Sequence, residues 1–172
     1  GRVVVVTGGN SGIGLEAAVS LARREARVVI ACRDPKRAAD AIGSLRERSG
    51  GGDVSAMPLD LASLASVRSF TETWLATGDP IDILINNAGV MALPKSKTAD
   101  GFETQLGTNH LGHFALTIRL LPALAKGRSS RVVTVSSMTH RSARIPFDDL
   151  HGDRAYSASK AYAQSKLANL LF

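Results

Sequence analysis

The chain has 172 residues, 44% of them hydrophobic and 21% charged, with a formal net charge of +6 and a sequence pI of about 10.0. That length and balance suit one soluble domain with a sizeable core, and no apolar run approaches the roughly 20 residues of a membrane span. The single cysteine, Cys32, excludes an internal disulfide and a multi-cysteine metal site.

Val3-Val4-Val5-Val6 is a continuous apolar run, the mark of a strand buried on both faces, here residues 3–7. Thr7-Gly8-Gly9-Asn10-Ser11-Gly12-Ile13-Gly14 follows it and opens a helical pattern over 12–24. Glycines there let the backbone turn sharply and approach a pyrophosphate closely. Free N–H groups and the positive dipole end at the helix start attract phosphate. A second strand over 27–32 leads to a helix over 35–48, with Pro35 in its first turn. Gly50-Gly51-Gly52 then precedes a strand over 54–59, and Ser63 is a suitable N-cap for a helix over 64–76. After Gly78-Asp79-Pro80 come a strand over 81–86, a long helix over 101–125 and a strand over 131–136. An irregular stretch, 138–153, has the length of a lid or binding loop, and a last helix is expected over 154–172.

Strand–helix alternation without repeats or linkers argues for a doubly wound parallel sheet with helices on both faces. Such sheets bind ligands at the carboxyl ends of their strands. The residues expected there are Gly8, Cys32-Arg33, Asp60, Asn86-Asn87-Ala88-Gly89 and Ser136-Ser137. The basic residues, among them Arg23-Arg24, Lys36-Arg37 and Arg141, are scattered and free of interleaved aromatics. They read as solvated helix faces, with one or two serving an anionic cofactor, and not as a nucleic-acid surface.

With these motifs the chain resembles the short-chain dehydrogenase/reductase family over nearly its whole length. The resemblance rests on Thr7-Gly8-x-x-x-Gly12-x-Gly14, Asn86-Asn87-Ala88-Gly89, Asn109 within Thr108-Asn109-His110, Ser137 and a Tyr-x-x-x-Lys, in the family's order. It implies a Rossmann fold, one NAD(P)-binding domain over 1–172, and hydride transfer between a nicotinamide and a carbonyl or alcohol carbon. Two Tyr-x-x-x-Lys pairs compete, Tyr156/Lys160 and Tyr162/Lys166. The stretch Ala161-Tyr162-x-x-Ser165-Lys166-Leu167-Ala168-Asn169 is similar to the retinol-dehydrogenase-like and WW-domain-oxidoreductase-like branch, as is the long loop from Ser137. The expected catalytic residues are therefore Asn109, Ser137, Tyr162 and Lys166.

The resemblance implies roles for each. Tyr162 exchanges a proton with the substrate oxygen, and Lys166 one turn on favours its phenolate and holds the nicotinamide ribose. Ser137, with Ser136 as the rival, hydrogen-bonds the substrate oxygen. Asn109 is expected to interrupt its helix and to hold a water of a proton relay from Lys166. His110 and His113 read as packing or surface residues. Gly8, Ser11, Gly12, Ile13 and Gly14 are expected around the pyrophosphate, Asn10 of the same loop adding a hydrogen bond to a 2′-phosphate, Asp60 and Leu61 at the adenine, and Asn87, Ala88 and Gly89 beside the adenosine ribose, where Asn86 is also expected while stabilising the central sheet.

Where an acid would bind the 2′-hydroxyl of NAD, this chain has Cys32-Arg33, and a guanidinium suits a 2′-phosphate. NADP(H) is the expected cofactor, with NAD(H) open through Asp34. Met91, Leu93, Met138, Ile145 and Phe147 give the substrate loops an apolar cast, so a lipophilic alcohol, aldehyde or ketone is expected. Family members continue past the helix bearing Tyr162 with a further strand and a substrate-covering region, so this chain is expected to be a fragment, with an open sheet edge that invites aggregation. The two helices around Asn109 and Lys166 resemble the family's dimerisation elements, so a homo-oligomer is expected. A cytoplasmic location is expected, with any membrane anchor upstream of Gly1. The rival reading is a non-catalytic NADP(H)-binding regulator or interaction module; its mark, loss of the tyrosine or lysine, is missing.

Overall fold

The structure is a computed structural model that describes residues Gly1–Phe172. Its five strands are β1 (Val3–Thr7), β2 (Arg27–Cys32), β3 (Val54–Pro58), β4 (Ile83–Asn86) and β5 (Arg131–Thr134). All pair in parallel, in the order β3-β2-β1-β4-β5. The order reverses direction beside β1, so the crevice at its carboxyl end is the topological switch point where such sheets take ligands.

Strand alternation divides the core into two layers. Val4, Val6, Val28 and Ile30 face α1 (Gly12–Ala22) and α2 (Pro35–Ser49), meeting Ala18, Val19, Ala41 and Leu45. Val5, Val29, Ala31 and Leu84 face α3 (Leu64–Thr77) and α5 (Gly112–Lys126), meeting Phe70, Trp74, Leu116 and Leu120. Leu45, Leu116 and Leu120 are fully buried, each contributing about 1.5–3 kcal/mol of transfer free energy.

Helix ends follow local chemistry. The Asp34 carboxylate caps α2 by accepting from the N–H groups of Lys36 at 2.9 Å and Arg37 at 3.1 Å, with Pro35 in the first turn. Gly50, at φ +79°, closes the same helix in the left-handed conformation. Ser63 caps α3 through the N–H of Ser66.

The strands β3, β4 and β5 are one or two residues shorter than expected at an end. The larger differences lie elsewhere. The long helix expected over 101–125 starts at α4 (Thr104–Leu106), where the Glu103 carboxylate accepts from the N–H groups of Gln105 at 3.0 Å and Leu106 at 2.7 Å. A π-helical turn, Gly107–Leu111, then separates α4 from α5. The last helix, α6 (Ala158–Leu171), begins four residues later than expected. Asp149 takes up the N–H groups of Asp153 and Arg154 through its carboxylate, and Gly152 turns at φ +61°, so 153–154 belong to a turn. No helix is long and apolar enough to cross a membrane.

Candidate active site

At the end of β1 the chain turns through Gly8 at φ +64° and Gly12 at φ +54°. Both values lie where only glycine is comfortable. A Cβ on Gly12 would meet nothing within 4 Å, so the backbone there faces an open cradle. Gly14 serves packing instead: a Cβ there would collide with Asn87 Nδ2 and stand 2.6 Å from the Gly8 carbonyl oxygen. Ser11 precedes α1 in extended conformation without a side-chain cap, which leaves the first N–H groups of that helix open. An anion fits such a place.

Thr7 binds this turn to the neighbouring strand end. Its Oγ1 accepts from the N–H groups of Asn87 at 2.9 Å and Ala88 at 3.0 Å, while Asn87 Nδ2 donates to the Thr7 carbonyl at 2.9 Å. Asn86, by contrast, turns away from the cleft. It donates to Thr117 on α5 at 3.0 Å and to Thr134 on β5 at 3.4 Å, which is the sheet-stabilising role expected of it.

A groove of about 410 Å³ runs from this turn across the ends of β2 and β3. It is lined by Gly8, Asn87, Ala88 and Gly89 and by Asn10, Ser11 and Ile13. Arg33, Asp34 and Arg37 also line it, as do Asp60 and Leu61. Asp60 also accepts from the N–H of Ala62 at 2.9 Å, making the turn role and the lining role compatible. Asp34 is committed to the α2 cap, and Arg37 Nε stands 3.7 Å from its carboxylate. Burial, then the Asp34 charge, pushes the Cys32 thiol up.

The second half of the site forms where α6 crosses the π-turn. Lys166 is 4% exposed; its ammonium donates to the Val135 carbonyl at 3.1 Å and lies 5.7 Å from the centre of the Tyr162 ring. Burial holds its pKa below the usual lysine value. Asn109 Oδ1 accepts from the Val90 N–H at 2.8 Å, and its Nδ2 donates to the Val90 carbonyl and to Ser165 Oγ, both at 2.9 Å. Asn109 Oδ1 and Lys166 Nζ converge on Gly89, lying 3.2 and 3.5 Å from where a Cβ on that residue would stand. A side chain at Gly89 would separate them.

Ser136 and Ser137 part company. Ser136 Oγ donates to the Lys166 carbonyl at 2.7 Å. Ser137 starts a 3₁₀ turn, Met138–Ser142, and its Oγ accepts from the Thr139 N–H at 3.3 Å and hydroxyl at 3.1 Å, leaving its own proton free.

The rival tyrosine is committed elsewhere. Tyr156 lies outside α6, so it shares no helical face with Lys160. Its hydroxyl donates to the Leu93 carbonyl at 2.8 Å and accepts from Gln105 Nε2 at 3.1 Å. A larger cavity of about 590 Å³ between 139–157 and α6 is lined by Tyr156, Lys160 and Gln164, but not by Ser137, Tyr162 or Lys166. Lys160 and Gln164 occupy the opposite side of the helix from Tyr162 and Lys166.

Two participants escaped the sequence reading. Arg37, named among the scattered basic residues but assigned no site, lines the groove from the first turn of α2. His113, read as packing or surface, is buried and bonded to both Thr7 and Asn109; its partners are far apart in sequence. His110 is half-buried against Phe114 and Phe172.

Residues 2–170 match the family model described as short chain dehydrogenase. Human retinol dehydrogenase 12 is 52% identical over 172 residues, covering 100% of this chain and 54% of that protein. Mouse polyprenol dehydrogenase is 52% identical over 176 residues, covering 100% of this chain and 52% of that protein. The chain thus spans about half the length of the curated relatives it matches. A crystal structure of an uncharacterized protein from Mycobacterium paratuberculosis superposes with a TM-score of 0.88 at 50% identity, over 99% of this chain and 59% of the other.

Proposed function

The chain belongs to the short-chain dehydrogenase family, and on that premise we propose that the protein is an NADP(H)-dependent oxidoreductase acting on a lipophilic alcohol or carbonyl compound. The observation that carries this reading is the convergence of Lys166 and Asn109 on Gly89, with Tyr162 one turn before Lys166, beside an open glycine turn. Residues 1–172 act as one nucleotide-binding domain.

When bound, the nicotinamide cofactor supplies the hydride acceptor or donor. The open N–H groups around Ser11 and Gly12 hold its pyrophosphate, with Gly8, Asn10, Ile13 and Gly14 shaping that turn. Asp60 and Leu61 take the adenine, and Asn87, Ala88 and Gly89 take the adjoining ribose. Lys166 and Tyr162 hold the ribose at the reacting end. The Tyr162 hydroxyl moves a proton to or from the substrate oxygen, and the free Ser137 hydroxyl proton orients that oxygen. Asn109 fixes the Val90 backbone and braces Ser165, and with it the helix bearing Tyr162 and Lys166.

Preference for NADP(H) over NAD(H) is supported by the positive charge lining the groove. Arg33 and Arg37 offer two guanidinium groups to a 2′-phosphate. Asp34, the carboxylate that could take a ribose hydroxyl, is occupied at the start of α2. The lipophilic substrate is supported by relatives named for retinol and polyprenol and by exposed Met91, Met138 and Phe147. A homo-oligomer is supported by Phe114, Ile118 and Leu121, exposed on one stripe of α5.

The test is NADPH oxidation by the full-length protein with long-chain aldehydes and retinal, beside Tyr162→Phe and Tyr156→Phe. We expect Tyr162→Phe to lose at least about 100-fold in kcat while still binding NADPH, and Tyr156→Phe to turn over. Tight NADPH binding without turnover on any substrate would replace catalysis with nucleotide sensing.

A further inference from the structure

His113 lies one turn after Asn109 on α5 and is 1% exposed. Its Nδ1 is 2.9 Å from the main-chain oxygen of Asn109, and its Nε2 is 2.8 Å from Thr7 Oγ1. A carbonyl oxygen only accepts, so the hydrogen of the neutral ring sits on Nδ1. Nε2 is then an acceptor, and the Thr7 hydroxyl donates to it. The same Thr7 oxygen receives the N–H groups of Asn87 at 2.9 Å and Ala88 at 3.0 Å, which fill its two lone pairs. The Ile85 carbonyl, at 3.3 Å, is the poorer alternative for the hydroxyl proton. Each proton and lone pair of the junction therefore has one place.

We propose that His113 is a positioning residue of the dinucleotide site, a neutral Nδ1–H imidazole that locks the first glycine turn, the Asn87-Ala88 turn and the π-turn of Asn109 into one unit. It reaches all three through main chain or through Thr7, with no place on the groove surface itself. Protonation at Nε2 would point a donor at an oxygen whose lone pairs are both in use. Burial resists that charge first, with the positive Lys166 on α6 and His110 on the π-turn opposing it further, and the ring's pKa is lowered to about 4. The inference rests on reading the groove as a dinucleotide site.

The experiment uses full-length protein and NADPH, with His113→Phe, which keeps the ring bulk and removes both nitrogens, and His113→Gln, whose amide can reach Thr7. We expect NADPH Kd to weaken at least about tenfold in the phenylalanine variant, with most of the loss restored by glutamine. A folded phenylalanine variant that binds NADPH like the wild type would overturn the inference. Should that variant not fold, ¹⁵N-histidine spectra of the wild type decide: an Nδ1–H tautomer unchanged from pH 8 to 5 supports the junction, and an Nε2–H tautomer or an imidazolium at pH 5 overturns it. A wild type that binds neither NADPH nor NADH overturns the functional reading and, with it, the assignment of His113 to a dinucleotide site, whereas a phenylalanine variant that binds like the wild type overturns the His113 assignment alone.

Discussion

The Ser136 hydroxyl donates a 2.7 Å hydrogen bond to the main-chain carbonyl of Lys166, fastening the end of β5 to α6. The adjacent Ser137 spends no proton within the chain. The two serines should therefore fail differently. Ser136→Ala is expected to lose about 1 kcal/mol of stability with kcat within threefold of wild type. Ser137→Ala is expected to lose at least about tenfold in kcat with a smaller drop in melting temperature than Ser136→Ala, because the hydrogen bonds its Oγ accepts from Thr139 are exposed. Thermal melts and steady-state kinetics on both variants separate the roles; a kinetic defect confined to Ser136→Ala would reverse the assignment.

Arg33→Ala should raise KM for NADPH by about tenfold or more, since a charge-assisted hydrogen bond contributes about 1.5–3 kcal/mol, while KM for NADH changes little. Equal effects on the two cofactors would remove the 2′-phosphate from the argument. Arg37→Ala should act in the same direction and more weakly, because its guanidinium also stands beside Asp34.

The buried imidazole gives stability a pH dependence of defined sign. Folding depresses the His113 pKa from 6.5 to about 4. Between those values the unfolded chain binds a proton that the folded chain refuses, so unfolding is favoured as pH falls through the window. The loss from this group totals about 3 kcal/mol and levels off below pH 4. Denaturant midpoints of wild type and His113→Gln from pH 7 to 4 should converge as the wild type weakens; parallel curves would exclude the linkage.

Gly14→Ala should destabilise the chain beyond a simple helix substitution, because its Cβ meets the Gly8 carbonyl at 2.6 Å and backbone cannot step aside cheaply. Gly43→Ala, with nothing within 4 Å of its Cβ, should stabilise the protein by about 0.5–1 kcal/mol. Melting temperatures that rise in both variants would contradict the packing described for the first turn.

Much of this was legible in residue order. The valine run of β1 and the glycine pattern after it announce a buried parallel strand and a phosphate turn, because period and glycine chemistry are local. The interruption at Asn109 was expected from resemblance and appears as the π-turn. The start of α6 was hidden, since residues 154–157 are held out of the helix by the Asp149 carboxylate and by Leu93 and Gln105, distant in sequence, which grip Tyr156. His113 was hidden for the same reason: its meaning depends on Thr7, which only the folded sheet brings beside it.

The π-turn has a consequence for any attempt to shorten this chain. A helix advances about 100° per residue, and the widened turn from Gly107 to Leu111 carries one residue more than an α-helical turn would use. The wider turn absorbs that residue, so α4 and α5 keep nearly one phase. It lets Glu103 and Gln105 address the stretch before α6 while His113, Leu116 and Leu120 address the sheet. Removing Thr108 would restore the α-helical count with little rotation of one half against the other, so the cost would fall on the widened turn itself, where Asn109 holds Val90.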